Sequence, residues 1–259
     1  MIGVLDWGVG GLGVVASLRG RGVKDSVVYV SDSGSTPYGR MDREVLSDRV
    51  QRVCDWMVKE GCGLVILACN AASTVREHLD VGDIPIVGMI ACTADYVERQ
   101  GYAEVGLLGG RRTVESQAYE RALAALGCAT KVRARVAQPL SALVEAGVLE
   151  GRELEREIEE IVAPLSDVSV LVSGCTHYAA IRPKIEMMLP ALRDWVEPAE
   201  LATASLIAAG RVTVKDSEIA ADGLQPTERF LTSGDPDALR GAGLVAFGVG
   251  IVEVEPLPV

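Results

Sequence analysis

Leu64-Val65-Ile66-Leu67-Ala68-Cys69-Asn70-Ala71-Ala72-Ser73 and Val168-Ser169-Val170-Leu171-Val172-Ser173-Gly174-Cys175-Thr176-His177-Tyr178 are built alike. Each is a short apolar run rich in β-branched residues, ending in Cys and then small or polar residues. Each is followed by a segment able to turn helical. The pattern is that of a buried strand carrying a thiol at its carboxyl end, beside a helix N-terminus. A single such thiol is an ordinary core cysteine. Two in matching contexts suggest a pair facing each other across a cleft.

Working outward, the same strand-then-helix alternation runs through the chain. Residues 2–5 read as a strand, followed by the glycine-rich turn Asp6-Trp7-Gly8-Val9-Gly10-Gly11-Leu12-Gly13 and a helix near 14–19. Residues 27–31 read as a strand ending at Asp32, Pro37-Tyr38-Gly39 as a loop, and 43–59 as a helix with Val45, Leu46, Val50, Val53, Trp56 and Met57 on one side. A helix to about residue 79 follows Cys69, and 85–90 is another apolar run. The pattern restarts with a strand at 105–109, a helix at 116–126, a strand at 131–136, and helices at 139–146 and 150–163. The Cys175 strand comes next, then a strand at 193–197 and a helix at 200–209. Residues 211–224 are weakly patterned, while 228–232 and 244–254 look like strands around the turn Ser233-Gly234-Asp235-Pro236. The expected class is α/β, as two similar halves with mainly parallel sheets. No low-complexity linker separates the halves, so any boundary near residue 92 is a compact crossing.

The 259 residues are 49% hydrophobic and 24% charged, a globular composition, with no apolar run long enough to cross a bilayer. The start carries Asp6 and lacks the basic segment and cleavage site of a secretory signal, so a cytoplasmic protein is expected. A net charge of −11 disfavours nucleic acid and anionic membranes as partners. A small anionic substrate is compatible with it, because a pocket can gather N–H donors against the global charge. The six cysteines (Cys54, Cys62, Cys69, Cys92, Cys128 and Cys175) form no C-x-x-C and read as reduced thiols. With two histidines and no paired thiol spacing, no metal site is expected.

Gly8-x-Gly10-x-x-Gly13, with Asp32 after the next strand, matches a dinucleotide fingerprint. Against that reading, Asp6 places a carboxylate where a pyrophosphate would approach. The alternative is a tight turn that lets backbone come close to something small. Cys69 and Cys175 carry the sharper hypothesis. Asn70, Ser73 and Thr176 supply side-chain donors, and two helix N-termini would lower the thiol pKa values. A thiol and a thiolate on opposite faces of a carbon acid can remove a proton from one face and deliver one to the other, inverting a stereocentre without a cofactor. His177, two residues after Cys175, reads as a helper acid/base, and Asp6 at a strand's carboxyl edge is placed to point into the cleft. His78 reads as helix surface.

At these residues the chain resembles the glutamate racemase family, within the cofactor-independent aspartate/glutamate racemases. Ile2–Gly13 resembles the family's I-G-V-F-D-S-G-V-G-G-L. Ser31-Asp32-Ser33 with Pro37-Tyr38-Gly39 resembles G-D-T-x-x-x-P-Y-G, and Ala68–Ser73 resembles A-C-N-T-A-S. Gly174-Cys175-Thr176-His177-Tyr178 matches G-C-T-H-Y in full, and Thr232–Pro236 resembles T-T-G-D-P. The resemblance implies two α/β domains related by a pseudo-twofold axis: 1–92 with 206–259 (the Cys69 half) and 93–205 (the Cys175 half). It implies interconversion of L- and D-glutamate, with Cys69 and Cys175 as the acid/base thiols, Asp6 assisting Cys69, His177 assisting Cys175, and Glu145 supporting His177. By the same analogy Pro37, Tyr38 and Gly39 line the substrate site, Tyr38 and Gly39 holding the distal carboxylate. Asn70 and Thr176 hold the α-carboxylate or amine. A cytoplasmic homodimer that needs no cofactor and supplies a peptidoglycan precursor is the further implication.

Two substrate-site positions depart from the family: Trp7 stands in place of its Ser, and Ala71 in place of its Thr. Trp7 adds bulk and leaves one N–H donor, and Ala71 removes a hydroxyl. Residues 88–93, Gly-Met-Ile-Ala-Cys-Thr, also differ from G-V-I-E-P-G. The alternatives are therefore an isomerase, epimerase or decarboxylase of this fold re-specified for another carboxylate, and a catalytically dead ligand-binding relative.

Overall fold

The structure is a computed structural model and describes residues 1–214 and 227–259. The chain enters as β1 (Ile2–Asp6), turns through its glycines into α1 (Leu12–Gly20), and lays β2 (Val27–Ser31) parallel to β1. After a 3-10 turn at Tyr38–Arg40 come α2 (Arg43–Lys59), β3 (Leu64–Leu67), α3 (Asn70–Ser73), β4 (Ile86–Gly88) and α4 (Met89–Gln100). The pattern repeats as β5 (Glu104–Gly109), α5 (Arg111–Glu115), α6 (Ala118–Ala125), β6 (Lys131–Val136), α7 (Gln138–Glu145), α8 (Arg152–Val162), β7 (Val170–Gly174), α9 (Arg182–Met187), β8 (Asp194–Val196) and α10 (Pro198–Ala208). It closes with β9 (Glu228–Thr232), α11 (Pro236–Phe247) and the two-residue β10 (Glu255–Pro256).

Two sheets result, ordered β10-β9-β2-β1-β3-β4 and β6-β5-β7-β8, and every strand pairing in them is parallel. The stretch β2-β1-β3-β4 has the same order as β6-β5-β7-β8. Cys69 and Cys175 follow β3 and β7, so the two thiols occupy equivalent places. In each half the strand order reverses beside the central strand, which opens a crevice at the strands' carboxyl ends.

Parallel strands with both faces covered need apolar residues on both sides of the pleat. In the first sheet Val4, Tyr29 and Ile66 face one cluster, while Leu5, Val28, Val30, Val65 and Leu67 face the other. The second sheet divides likewise, with Leu108 and Leu171 against Leu107, Val170 and Val172. Helix α2 buries Leu46, Val50, Val53 and Met57 at helical spacing. At roughly 1.5–3 kcal/mol per fully buried large side chain, that face dominates the helix's weaker intrinsic preferences. Val45, expected on the same side, is 56% exposed.

Four local expectations are corrected. The helix after Cys69 stops at Ser73, because Ser73 and Thr74 hydroxyls donate back to the carbonyls of Leu67, Cys69 and Ala71; only a 3-10 turn at Arg76–His78 follows, with His78 exposed. The apolar run 85–90 divides at Gly88, where Ser73 Oγ accepts the Met89 N–H at 3.0 Å and caps α4. The helix expected over 116–126 is α6 and begins only at Ala118, because Gln117, at φ +51°, separates it from the preceding short α5. The strand expected over 244–254 is instead the end of α11 and irregular chain. Asp235 caps α11 by accepting the Asp237 N–H at 2.8 Å, Pro236 fits its first turn, and Gly248 stops it at φ +66°. The weakly patterned stretch 211–224 lies from residue 215 onward outside the described residues.

Candidate active site

One cavity of about 350 Å³ lies where the carboxyl ends of the two sheets approach each other, and both Cys69 and Cys175 line it. Asp6 and Trp7, where β1 passes into the glycine-rich turn, lie on its lining. Gly8 passes so close to Glu145 that a Cβ there would sit 2.3 Å from Oε2, and a Cβ on Gly10 would sit 2.2 Å from Thr176 Oγ1. The glycines therefore serve the approach of one half's backbone to the other half's side chains. Asp32, the other part of the dinucleotide fingerprint, is fully buried. It accepts from Arg49 at 2.5 and 2.8 Å, Tyr38 Oη at 2.8 Å and Ser233 Oγ at 2.7 Å. Burial opposes its charge, yet these donors hold its pKa below the ordinary value. No free carboxylate is left there for a ribose.

On the second half's side, β7 ends at Gly174 and a 3-10 turn carries Cys175, Thr176 and His177 into the cavity. The Tyr178 hydroxyl donates to Ala137 O at 2.8 Å and anchors that turn. His177 Nδ1 is 3.6 Å from Cys175 Sγ, and its Nε2 is 2.6 Å from Glu145 Oε2 on α7. The same Glu145 oxygen accepts the Val9 N–H at 3.1 Å. Burial alone would push the His177 pKa down. The negative charge of Cys175 and its hydrogen bond, then those of Glu145, outweigh burial and hold it well above the ordinary value. Burial likewise opposes the Glu145 charge, but His177 and the Val9 N–H keep its pKa below the ordinary value. Both shifts favour the ion-paired form, an imidazolium facing a carboxylate.

On the first half's side, Asp6 is fully buried. Its Oδ1 accepts the Trp7 N–H at 2.9 Å; its Oδ2 accepts the Gly11 N–H and the Thr176 hydroxyl, the latter at 3.1 Å. Burial pushes its pKa up, offset in part by His177 and the N–H groups. Cys69 is held well above an ordinary thiol by burial first and the Asp6 charge second; the N–H groups of Ala72 and Ala71 pull the other way and lose. The expectation that a helix N-terminus lowers this thiol is therefore corrected. Helix α3 has four residues, and desolvation beside a carboxylate outweighs its few N–H groups. Cys54 and Cys62 are buried in the core, where burial pushes their thiols up to about 12 and about 11.

Trp7 lines the cavity with its Nε1–H donated to Ser35 O at 3.1 Å, so the indole presents an apolar wall. Pro37, Tyr38 and Gly39 continue that wall, and the Tyr38 hydroxyl is turned away to Asp32. Asn70 and Ala71 lie beside Cys69 on the same lining. Sequence reading missed Thr113, Gln138 and Ser141, which also line the cavity; Gln138 Nε2 donates to Ser141 Oγ at 3.0 Å. The available signal was position: Thr113 follows the carboxyl end of β5 as Asp6 ends β1. Arg40 completes the exposed mouth. Among the described residues no helix is long and apolar enough to cross a membrane.

The arrangement offers two thiols with different partners, a buried carboxyl group and an ion pair around one small cavity, which suits proton transfer at a carbon acid. Residues 13–206 match the family described as Asp/Glu/Hydantoin racemase. A glutamate racemase of Desulforudis audaxviator is 32% identical, with 92% of this chain and 90% of the relative covered. The crystal structure of a glutamate racemase isoform from Bacillus anthracis superposes with a TM-score of 0.87 at 27% identity, covering 99% of this chain and 97% of that one. A glutamate racemase from Thermus thermophilus, solved in complex with β-chloro-D-alanine, gives 0.84 at 26% identity over 99% and 96%. With its thiols at equivalent strand ends and its relatives matched over nearly their full length, the chain belongs to the Asp/Glu/Hydantoin racemase family.

Proposed function

We propose that this chain is a cofactor-independent amino-acid racemase that interconverts L- and D-glutamate by two-base proton transfer between Cys69 and Cys175. The observation that carries the reading is the equivalent placement of the two thiols on one cavity. In one direction of the reaction Cys69 is the acid and Cys175, facing His177, is the base. Cys175 takes the Cα proton, the electron pair left on Cα spreads into the α-carboxylate, and the Cys69 S–H delivers its proton to the opposite face. The reverse direction needs the opposite protonation of the thiols. His177 and Glu145 serve the Cys175 side, and Asp6 the Cys69 side. The backbone N–H groups of Tyr38 and Gly39 hold the far carboxylate, while Asn70 and Thr176 hold the α-carboxylate or amine, where preorganised donors in a dry cleft stabilise the carbanion-like transition state.

The division into 1–92 with 206–259 and 93–205 belongs to the same proposal. Its support is sheet membership, and its crossings fall within α4 and α10, which contribute to cores on both sides. Family membership supports a cytoplasmic homodimer in peptidoglycan precursor supply; sedimentation of the purified chain tests the assembly.

The deciding experiment is proton NMR in D2O with separate L- and D-glutamate. Loss of the Cα–H signal with build-up of the opposite enantiomer is the expected result. Silence towards glutamate, with exchange of another amino acid or dicarboxylate, would replace glutamate as the substrate. Binding without exchange would make the chain a ligand-binding relative.

A further inference from the structure

Asn70 is 2% exposed and lines the cavity beside Cys69, and its carboxamide is held from the other half of the molecule. The Tyr119 hydroxyl on α6 donates to Asn70 Oδ1 at 2.6 Å. Asn70 Nδ2 is buried and has no hydrogen-bond partner among the described residues. A buried amide donor without a partner is costly unless something supplies an acceptor. The cavity that Asn70 lines is where a carboxylate ligand would supply one.

Tyr119 reaches Asn70 because α5 and α6 are not one helix. Gln117 sits between them at φ +51°, the only non-glycine residue in the left-handed region among the described residues. Such a conformation is unfavourable for a residue with a Cβ and persists where the surrounding structure needs it. Here it redirects the chain so that α6 begins at Ala118 and buries Tyr119 at 2% exposure against the Cys69 half.

We propose that Tyr119 is a positioning residue: by donating to Asn70 Oδ1 it fixes the carboxamide so that Nδ2, and not Oδ1, serves the carboxylate of the substrate. Turning the carboxamide over would take the acceptor from the Tyr119 hydroxyl and present an oxygen to an anion. The contact also makes this donor depend on the approach of the two halves, since one partner comes from each. The inference rests on the racemase reading for its kinetic arm only.

Tyr119→Phe removes the hydroxyl and keeps the ring. With the full-length enzyme and glutamate, the expected result is a KM raised several-fold together with a lowered kcat, for a kcat/KM down about tenfold or more, because the Asn70 donor serves the carboxylate in the bound substrate and more strongly as charge gathers on it in the transition state. An unchanged KM with wild-type turnover overturns the proposal, as does a fall in kcat alone. A second readout needs no turnover: the Asn70 side-chain NH2 pair in 15N spectra, assigned by its loss in Asn70→Ala, should shift and broaden in Tyr119→Phe. If the wild-type chain leaves glutamate untouched, the substrate reading fails while this signature still decides the role of Tyr119; an unmoved pair overturns it. Should the phenylalanine variant not fold, 3-fluorotyrosine at 119 keeps the bond's geometry, changes its donor strength, and must move the same Asn70 signals.

Discussion

The surroundings of Cys69 and Cys175 are equivalent in topology and opposite in charge. Each thiol follows the third strand of a sheet ordered alike. Beside Cys69 stands the buried carboxyl group of Asp6; beside Cys175 stands the His177 imidazolium backed by Glu145. A symmetric scaffold thus carries an asymmetric pair, one thiol inclined to keep its proton and one facing a cation. Two identical environments would leave both thiols protonated or both ionised, and neither state can start a transfer across Cα. Duplicated topology provides the two faces, and local charge provides the difference between them.

The severest way to break this comparison is to remove either sulfur. Cys69→Ala and Cys175→Ala should each abolish interconversion, with a loss on the order of 10²–10⁴-fold or more, the usual weight of a positioned general acid or base. Both thiols lie on a cavity wall, so the melting temperature should change little. Full turnover in both single variants, followed by polarimetry of L- and D-glutamate, would sink the two-base mechanism.

A smaller change cancels the asymmetry and leaves both sulfurs in place. Glu145→Gln removes the anion that helps to hold His177 protonated, so the pH–rate profile should lose its alkaline side at lower pH than in the wild type. The stability effect has a defined window. The folded pKa of Glu145 is lowered, so its contribution is present above the unfolded value of about 4.3 and is lost as pH falls through the folded value. The folded pKa of His177 is raised, so its contribution is complete below about 6.5 and is lost as pH rises through the folded value. The wild type should therefore exceed Glu145→Gln by about 1.5–3 kcal/mol near pH 6, the range for a hydrogen bond to a charged group, and by less at alkaline pH. Denaturant unfolding across pH measures it; a gap that widens above neutrality contradicts the assigned charges.

Much of this arrangement was legible in the chain because it depends on strand ends. A buried parallel strand declares itself by continuous apolar residues, and Ala68-Cys69 and Gly174-Cys175 mark where two of them stop. Asp6 and His177 could be placed by the same logic. What the sequence hid is set by contacts between distant segments. The spacing of Gly8 and Gly10 reads as a phosphate loop until Glu145 and Thr176 are found against them. The short reach of α3 depends on Ser73 and Thr74 bonding backwards, and the lowered thiol pKa expected there fails because Asp6 arrives from another strand. Residues 244–247 carry β-branched and aromatic side chains yet are helical, since the Asp235 cap and Pro236 start a helix that runs into them. Tyr119 had no motif to announce it, because its meaning comes from a turn at Gln117 and a partner 49 residues away.

The mildest expected effect tests the Cys69 side of the comparison, at Trp7 and Ala71. Trp7 presents an indole whose N–H is already taken by Ser35 O, and Ala71 offers a methyl group, so neither gives a polar atom to a substrate carboxylate or amine. Replacing both together, Trp7→Ser with Ala71→Thr, puts two hydroxyls on that wall. The backbone N–H of residue 7 that donates to Asp6 is untouched by the change, so the Asp6 carboxyl group should keep its place beside Cys69. If one hydroxyl gains a bond to a charged group, KM for glutamate should fall by about tenfold or more, since about 1.4 kcal/mol is a factor of ten. The melting temperature should fall as well, because the indole's packing and its bond to Ser35 are lost. A KM that stays constant or rises, together with faster turnover of a bulkier carboxylate by the wild type, would identify Trp7 as a wall shaped for that other substrate. The chemistry would then be kept by Cys69 and Cys175, while the choice of side chain is made a few ångströms away by residues that never touch a proton.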